Sequence, residues 1–272
     1  MSFLDAVILA VIQGLTEFLP ISSSGHLVLG EALLGGDAFP DSIAFEVVVH
    51  LGTFLAVILV FWQDIKNLFM VLLKWLSTPM QIPKGARNDP EFRFILFLLL
   101  GMLPAGFVGL LLRDRISAVF SEPLIVSGTL VVTGLLLLGT RFVPPGQRVI
   151  GFGSAILIGL AQALALLPGI SRSGATISTA LFLRIPQAQA ARFSFIMVLP
   201  LILAATLLEM VDLLRSGIPA GEWMLLTTGL VVSFLTGWVS LKWLLALLQR
   251  GHFHHFAWYC FLVAAFAFFY FK

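Results

Sequence analysis

"QGLTEFLPISSSGH" (residues 13–26) places a carboxylate, three serine hydroxyls and an imidazole between two oily stretches, residues 3–11 and 27–34. A charged side chain at the centre of a bilayer costs about 2.5–3.5 kcal/mol even on the most lenient insertion scale. The chain around it leaves little doubt about the solvent. Of 272 residues, 59% are apolar and 11% charged, with a mean hydropathy of +1.04. Soluble domains carry about 25% charged residues, so this composition defines an integral membrane protein. Residues 47–62 with their neighbours, 94–112, 124–140 and 223–241 are each long and apolar enough for a helix across a core about 30 Å thick. A net charge of +2 argues against a nucleic-acid partner. The single cysteine, Cys260, excludes an internal disulfide or a thiolate metal cluster. Residues 1–5 lack a positive n-region and no small-residue cleavage site follows, so no removable signal peptide is expected.

The opening stretch occurs twice. "QGLTEFLPISSSG" falls without a gap on "QALALLPGISRSG" (residues 162–174), so that Gln13 meets Gln162, Ile21 meets Ile170, and Ser22, Ser24 and Gly25 meet Ser171, Ser173 and Gly174. Further on, "FEVVVHLGTFLA" (residues 45–56) falls on "FSFIMVLPLILA" (residues 193–204), and Gly101 and Gly109 are echoed by Gly229 and Gly237. Three blocks in one order indicate two homologous halves, about 1–146 and 147–272.

Each half opens with two apolar pieces separated by Pro and Ser/Gly, residues 3–19 and 25–34 in the first and 150–167 and 174–183 in the second. The second piece of each pair is too short to span. Interrupted short segments at corresponding positions of two halves point to discontinuous helices around a midplane site. The fold expected is an all-α polytopic membrane protein of two inverted repeats. Each repeat is a re-entrant helical hairpin (3–34 and 150–183) plus three transmembrane helices, at 43–62, 94–112 and 119–140, then 193–214, 223–248 and 255–271. Three crossings per half require the halves to be inverted. Most Lys and Arg, from Lys66, Lys74 and Lys84 through Arg141, Arg184 and Arg250, then fall on one side, against Arg113, Arg115, Arg215 and Lys272 on the other. The positive-inside rule makes the richer side cytoplasmic. The first hairpin then enters from outside and the second from the cytoplasm.

The polar tips lie at the starts of the second, short helices, where free N–H groups and the helix dipole favour phosphate or carboxylate. Ser22, Ser24, Gly25, Ser171, Ser173, Gly174 and Thr176 supply donors and close backbone approach, and Arg172 adds a planar fork matched to phosphate oxygens. The halves differ where the chemistry would sit. Glu17 faces Leu166 in the alignment, Ser23 faces Arg172, and His26 faces Ala175. The first half keeps groups that move protons or attack, while the second adds permanent positive charge. Gln13 and Glu17, four apart, share a helix face. Glu17 is a base or a cation ligand, His26 a proton carrier or a nucleophile, and a serine of the loop the alternative nucleophile. Set against these readings, serines and glycines in membrane helices also serve close packing, and His26 taken alone could be a satisfied core histidine. Glu46 and His50 belong either to the site or to the interface. "HFHH" (residues 252–255) reads as an interfacial loop, and Glu209 and Asp212 as reaching water. Trp62, Trp75, Trp223 and Trp258 read as belt anchors.

The pair "QGLTEFLPISSSGH" and "PGISRSGAT" (residues 168–176) resembles the two signature motifs of the bacterial undecaprenyl-diphosphate phosphatase, or bacitracin-resistance, family, and the likeness extends over essentially the whole chain. The resemblance implies removal of the terminal phosphate of a polyprenyl diphosphate, regenerating the monophosphate carrier for cell-wall synthesis in the bacterial cytoplasmic membrane; the charge distribution puts the mouth of the first hairpin on its periplasmic side. It implies a divalent cation, Mg2+ or Ca2+, held in part by Glu17. By motif position Glu17 is the family's acidic residue, Ser23 its proposed nucleophile, His26 its essential histidine and Arg172 its phosphate-binding arginine. Gln13 stands where some members carry Glu. The partners expected are the lipid substrate, membrane lipid and, as a candidate, a second copy of the chain. Two other readings compete. A phosphatidic-acid-type lipid phosphatase would need a histidine six residues beyond its Ser-Arg pair, where this chain has Ser178. An inverted-repeat transporter or lipid flippase fits the architecture, yet gives no reason for a nucleophile confined to one repeat.

Overall fold

The computed structural model describes residues 2–34, 43–112, 122–216 and 223–272. Asp37, Arg113 and Arg115, and the first residues of the span expected at 119–140, lie outside them, as do the side chains of Lys84, Glu209, Asp212 and Arg215. The described residues form twelve α-helices, numbered here in chain order, and no strand. The first seven are α1 (Phe3–Thr16), α2 (Ser23–Leu34), α3 (Ile43–Val60), α4 (Trp62–Leu76), α5 (Ile82–Asn88), α6 (Pro90–Leu111) and α7 (Pro123–Gly139). After them come α8 (Phe152–Leu164), α9 (Arg172–Phe182), α10 (Gln187–Ser216), α11 (Trp223–Gln249) and α12 (Phe256–Phe271). Among the described residues, five helical segments are long and apolar enough to cross a membrane, or six when the bent pair α3–α4 is taken as one span. Each full span expected from the sequence is met by a helix.

The four short pieces are α1, α2, α8 and α9. At about 1.5 Å per residue, the 12 residues of α2 and the 11 of α9 reach roughly 18 and 16 Å. Neither crosses the hydrocarbon core. The helix starts follow from capping chemistry. Ser2 Oγ accepts from Asp5 N–H while the Asp5 carboxylate accepts from Ser2 N–H, closing a reciprocal cap on α1. Asp89 caps α6, accepting from the N–H groups of Glu91 and Phe92, with Pro90 in the first helical position where its missing N–H costs nothing.

Close backbone approach brings the halves together. α11 packs along both α1 and α3, α6 along α8, α7 along α12, and α10 joins α3. A Cβ on Gly159 of α8 would strike the Gly101 carbonyl of α6, so these two helices meet where neither has a side chain. This small-residue contact stands in for a hydrophobic drive that lipid does not supply. Phe18 and Phe195, both fully buried, meet edge to face at 5.9 Å beneath the hairpin tips. Leu103, Phe107 and Leu110 of α6 and Phe269 of α12 lie exposed on the outside, a surface suited to acyl chains.

Two features differ from the sequence reading. The span at 43–62 does not simply end. It turns through 81° at Phe61 into α4, which buries Leu68 and Trp75 and carries Asp64, Lys66 and Lys74 on the rest of its surface. Trp75 is therefore no lipid-facing belt residue: it is 8% exposed, and its Nε1–H donates to Asp89 at 3.0 Å. Trp62, Trp223 and Trp258 are exposed, as belt anchors would be. Arg192 of α10 ties this end together. It pairs with Glu91 at 2.8 Å, lies over the Phe94 ring, and brings Nε within 2.7 Å of Asp64, close but misaligned for a hydrogen bond.

Candidate active site

The two hairpin tips interlock. After α1 the chain runs through Pro20 and Ile21 to Ser22, whose φ of +68° is left-handed, and α2 begins at Ser23. The other tip turns at Gly169, φ +89°, before Ser171 caps α9. Each tip repeats one device. Ser22 Oγ accepts from Gly25 N–H at 3.2 Å, and Ser171 Oγ from Gly174 N–H at 3.1 Å. In each, the residue next but one is a serine whose hydroxyl stands 3.3 Å away. Ser22 Oγ accepts a second bond, from Gly169 N–H of the opposite tip at 3.1 Å. Thr133 of α7 braces that tip, donating to the Gly169 carbonyl at 2.8 Å and accepting from Ser171 N–H at 3.0 Å. A Cβ on Gly25 would lie 2.9 Å from Gly169 Cα, so the tips meet backbone to backbone.

Between them sits the charge the sequence singled out. Arg172, the first residue of α9, donates to Glu17 Oε1 at 2.6 Å, and the side chains are 19% and 9% exposed. Glu17 Oε2 accepts from Gln13 Nε2 at 3.2 Å and from Ser23 Oγ–H at 3.1 Å. The Gln13–Glu17 pair is the four-residue spacing on one helix face. Glu17, Arg172 and the hydroxyls of Ser22, Ser23, Ser24 and Ser171 line a small cavity of about 150 Å³. It is polar, and both short helices start beside it.

Not every candidate enters this cavity. His26 turns back along α2: Nδ1–H donates to the Ser22 carbonyl at 2.8 Å, and Nε2 meets the Tyr259 hydroxyl at 2.8 Å. Its ring lines a second, apolar groove of about 860 Å³, with Leu15, Leu19, Leu247 and Phe256. Thr16 lines both, so the groove and the polar cavity adjoin. Ser173 packs beside Ser171. Thr176, fully buried, donates to the Arg172 carbonyl and contacts Ser194 Oγ, turned away from the cavity. Glu46 and His50 do not line it, and His50 Nδ1–H donates instead to the Glu46 carbonyl. The HFHH stretch forms a single turn between α11 and α12, as a loop should. Sequence reasoning missed two residues. Tyr259 looked like one more aromatic in an apolar helix. Gln162, the counterpart of Gln13, is buried with neither amide atom bonded, and the repeat alignment was the signal for it.

Among the described residues no three of His, Cys, Asp and Glu gather into a metal cluster. The donors beside the cavity are oxygens: the Glu17 carboxylate, the Gln13 amide oxygen and serine hydroxyls. That set suits a hard cation such as Mg2+, which takes one or two protein carboxylates and completes its shell with water and phosphate.

These features define a class: an all-helical, multi-pass membrane protein with a buried carboxylate–guanidinium pair beside a serine where its two hairpin tips meet. The family model described as Bacitracin resistance protein BacA matches residues 6–266, and the chain belongs to that family. It is 40% identical to the undecaprenyl-diphosphatase of Salinibacter ruber over 263 residues, covering 97% of each chain. It is 41% identical to that of Christiangramia forsetii over 268 residues, covering 97% of this chain and 96% of the relative. With that of Bacteroides fragilis the identity is 38% over 267 residues, with the same coverage.

Proposed function

We propose that this chain is an undecaprenyl-diphosphatase, a membrane phosphatase that hydrolyses the phosphoanhydride of a polyprenyl diphosphate. The observation that carries the reading is the Arg172–Glu17 pair at 2.6 Å with Ser23 hydrogen-bonded to the same carboxylate. A guanidinium and a hydroxyl nucleophile stand at two helix starts, and the base that both contact stands at the end of α1. The family and its similarly named relatives support the same activity.

The diphosphate enters the polar cavity and the prenyl chain lies along the adjoining groove. Arg172 leaves Glu17 Oε1 for the terminal phosphate, where its fork binds two oxygens, and the N–H groups at the start of α9 share that charge. Glu17, released from the guanidinium, accepts the Ser23 proton already aimed at Oε2. Ser23 Oγ forms a bond to the terminal phosphorus as the bridging oxygen leaves with the lipid monophosphate. Glu17 gives the Ser23 proton to the departing lipid monophosphate and, ionised again, takes one from a water that attacks phosphoserine; the P–Oγ bond breaks, phosphate leaves, and Glu17 returns the proton to Ser23 Oγ. A divalent cation, when bound, would neutralise phosphate charge, held by Glu17 and the Gln13 amide oxygen. His26, engaged at both nitrogens away from the cavity, is a poorer nucleophile than Ser23 in this geometry.

In the orientation we infer, the end carrying Lys66, Lys74, Arg141 and Arg250 is cytoplasmic. The first hairpin then opens to the periplasmic side of the bacterial inner membrane. The test is phosphate release from undecaprenyl diphosphate by purified protein in detergent. Wild type releases it, and Ser23→Ala and Glu17→Gln each fall at least a hundredfold, the lower end of what a nucleophile or general base contributes, about 10²–10⁴. Absence of release by wild type, or normal rates in both variants, overturns the reading.

A further inference from the structure

We propose that Tyr259 is a positioning residue of this site, acting through His26 to hold the turn that presents Ser23. Ser22 occupies the left-handed region that side-chain-bearing residues rarely adopt. Something must hold it there, and the structure shows what does. Its hydroxyl is bonded by N–H groups of both tips. Its carbonyl accepts twice from His26, from the backbone N–H at 3.2 Å and from Nδ1–H at 2.8 Å. A carbonyl only accepts, so Nδ1 must carry a proton. In the neutral ring Nε2 is then bare and needs a donor. Tyr259 supplies it: the hydroxyl stands 2.8 Å from Nε2, and the two rings lie 10° from parallel with centroids 5.5 Å apart.

Tyr259 comes from α12, more than two hundred residues along the chain, in a helix otherwise built almost wholly of apolar side chains. The next residue makes a second contact with the same tip, Cys260 Sγ lying 3.6 Å from the Pro20 carbonyl. α12 therefore grips the first hairpin on both sides of its left-handed turn, and Ser23 follows that turn directly. Without the hydroxyl, Nε2 has no donor and the Nδ1–H tautomer keeps only one of its two supports, the Ser22 carbonyl. In the other tautomer the ring no longer donates to Ser22, and Ser23 loses its aim at Glu17. Tyr259 touches no part of the polar cavity, so it positions rather than reacts.

The functional consequence rests on the phosphatase reading above, whereas the tautomer does not, so the two fail separately. Nitrogen-15 NMR of imidazole-labelled protein, with His26→Gln to assign the signal among five histidines, reads the protonation of each ring nitrogen. Wild type shows His26 protonated at Nδ1 and bare at Nε2, and Tyr259→Phe, which keeps the ring, loses that pattern. In phosphate release, Tyr259→Phe lowers kcat about tenfold, the order of one hydrogen bond, with KM unchanged. In the His26→Gln background it lowers kcat no further. The proposal is overturned if Tyr259→Phe keeps both tautomer and turnover, or if its loss multiplies with that of His26→Gln. Should the variant fail to stay monodisperse, wild type alone decides, and a proton on Nε2 facing Tyr259 overturns the proposal.

Discussion

Glu17→Gln separates what the buried pair does for folding from what it does for chemistry. The substitution keeps shape and removes charge, leaving the Arg172 guanidinium, 19% exposed, without its counter-ion. Breaking a buried pair from one side costs about 3–5 kcal/mol because a desolvated charge is left alone. Since Arg172 keeps some contact with the cavity, the lower end, about 3 kcal/mol, is the expected loss. Arg172→Met should cost a similar amount from the other side. The double variant removes both charges and replaces the guanidinium with a flexible apolar side chain, so it should recover about 2 kcal/mol relative to the sum of the singles. Activity should show no such recovery, because base and phosphate ligand are both gone. The assay is a thermal and denaturant unfolding series on all four proteins in one detergent, run beside phosphate release. The reasoning is refuted if the stability losses add, which would mean the 2.6 Å contact is energetically inert, or if the double variant regains turnover.

Arg172→Lys keeps the charge but loses the planar fork, so kcat/KM for phosphate release should fall by about a hundredfold, the scale of one lost transition-state donor. Asp89 tests pH dependence. Burial works to raise its pKa, but hydrogen bonds from Trp75 Nε1 and the Phe92 and Glu91 N–H groups, with Lys74 nearby, prevail and hold it below the ordinary 3.8. A depressed carboxylate pKa adds stability above 3.8 that is lost as pH falls through the lower folded value. Asp89→Asn should therefore flatten the acid limb of a stability-versus-pH curve. Gly25→Ala places a methyl 2.9 Å from Gly169 Cα, forcing the tips apart; unfolding scans should show a loss of about 1–3 kcal/mol and phosphate release should drop with it.

How much of this was legible depended on whether cost or geometry carried the signal. Glu17 and Arg172 stood out because charge in a membrane is expensive, and that expense predicts a partner. The hairpin tips were legible because Pro and Ser/Gly recur at matched positions of the two halves. The 81° turn at Phe61 was not, since no Pro or Gly marks it. It follows from α4 having one apolar face and a charged one, where α3 is apolar on every side beyond Thr53. Proximity in sequence put His26 with the reacting groups and Thr176 with the phosphate donors. Each instead spends its donor one turn back along its own helix, on the Ser22 and Arg172 carbonyls. Tyr259 was invisible, because its partner lies in the opposite half of the chain.

The central claim is that Ser23 attacks phosphorus with Glu17 as its base. It is tested most directly by quenching turnover of the purified protein in acid, digesting it and locating bound phosphate by mass spectrometry. The account predicts an acid-stable phosphate on Ser23, accumulating when water attack is slowed and absent from Ser23→Ala. An acid-labile phosphate on His26 that persists in Ser23→Ala, or no phosphoenzyme under any quench condition while phosphate is still released, would contradict it.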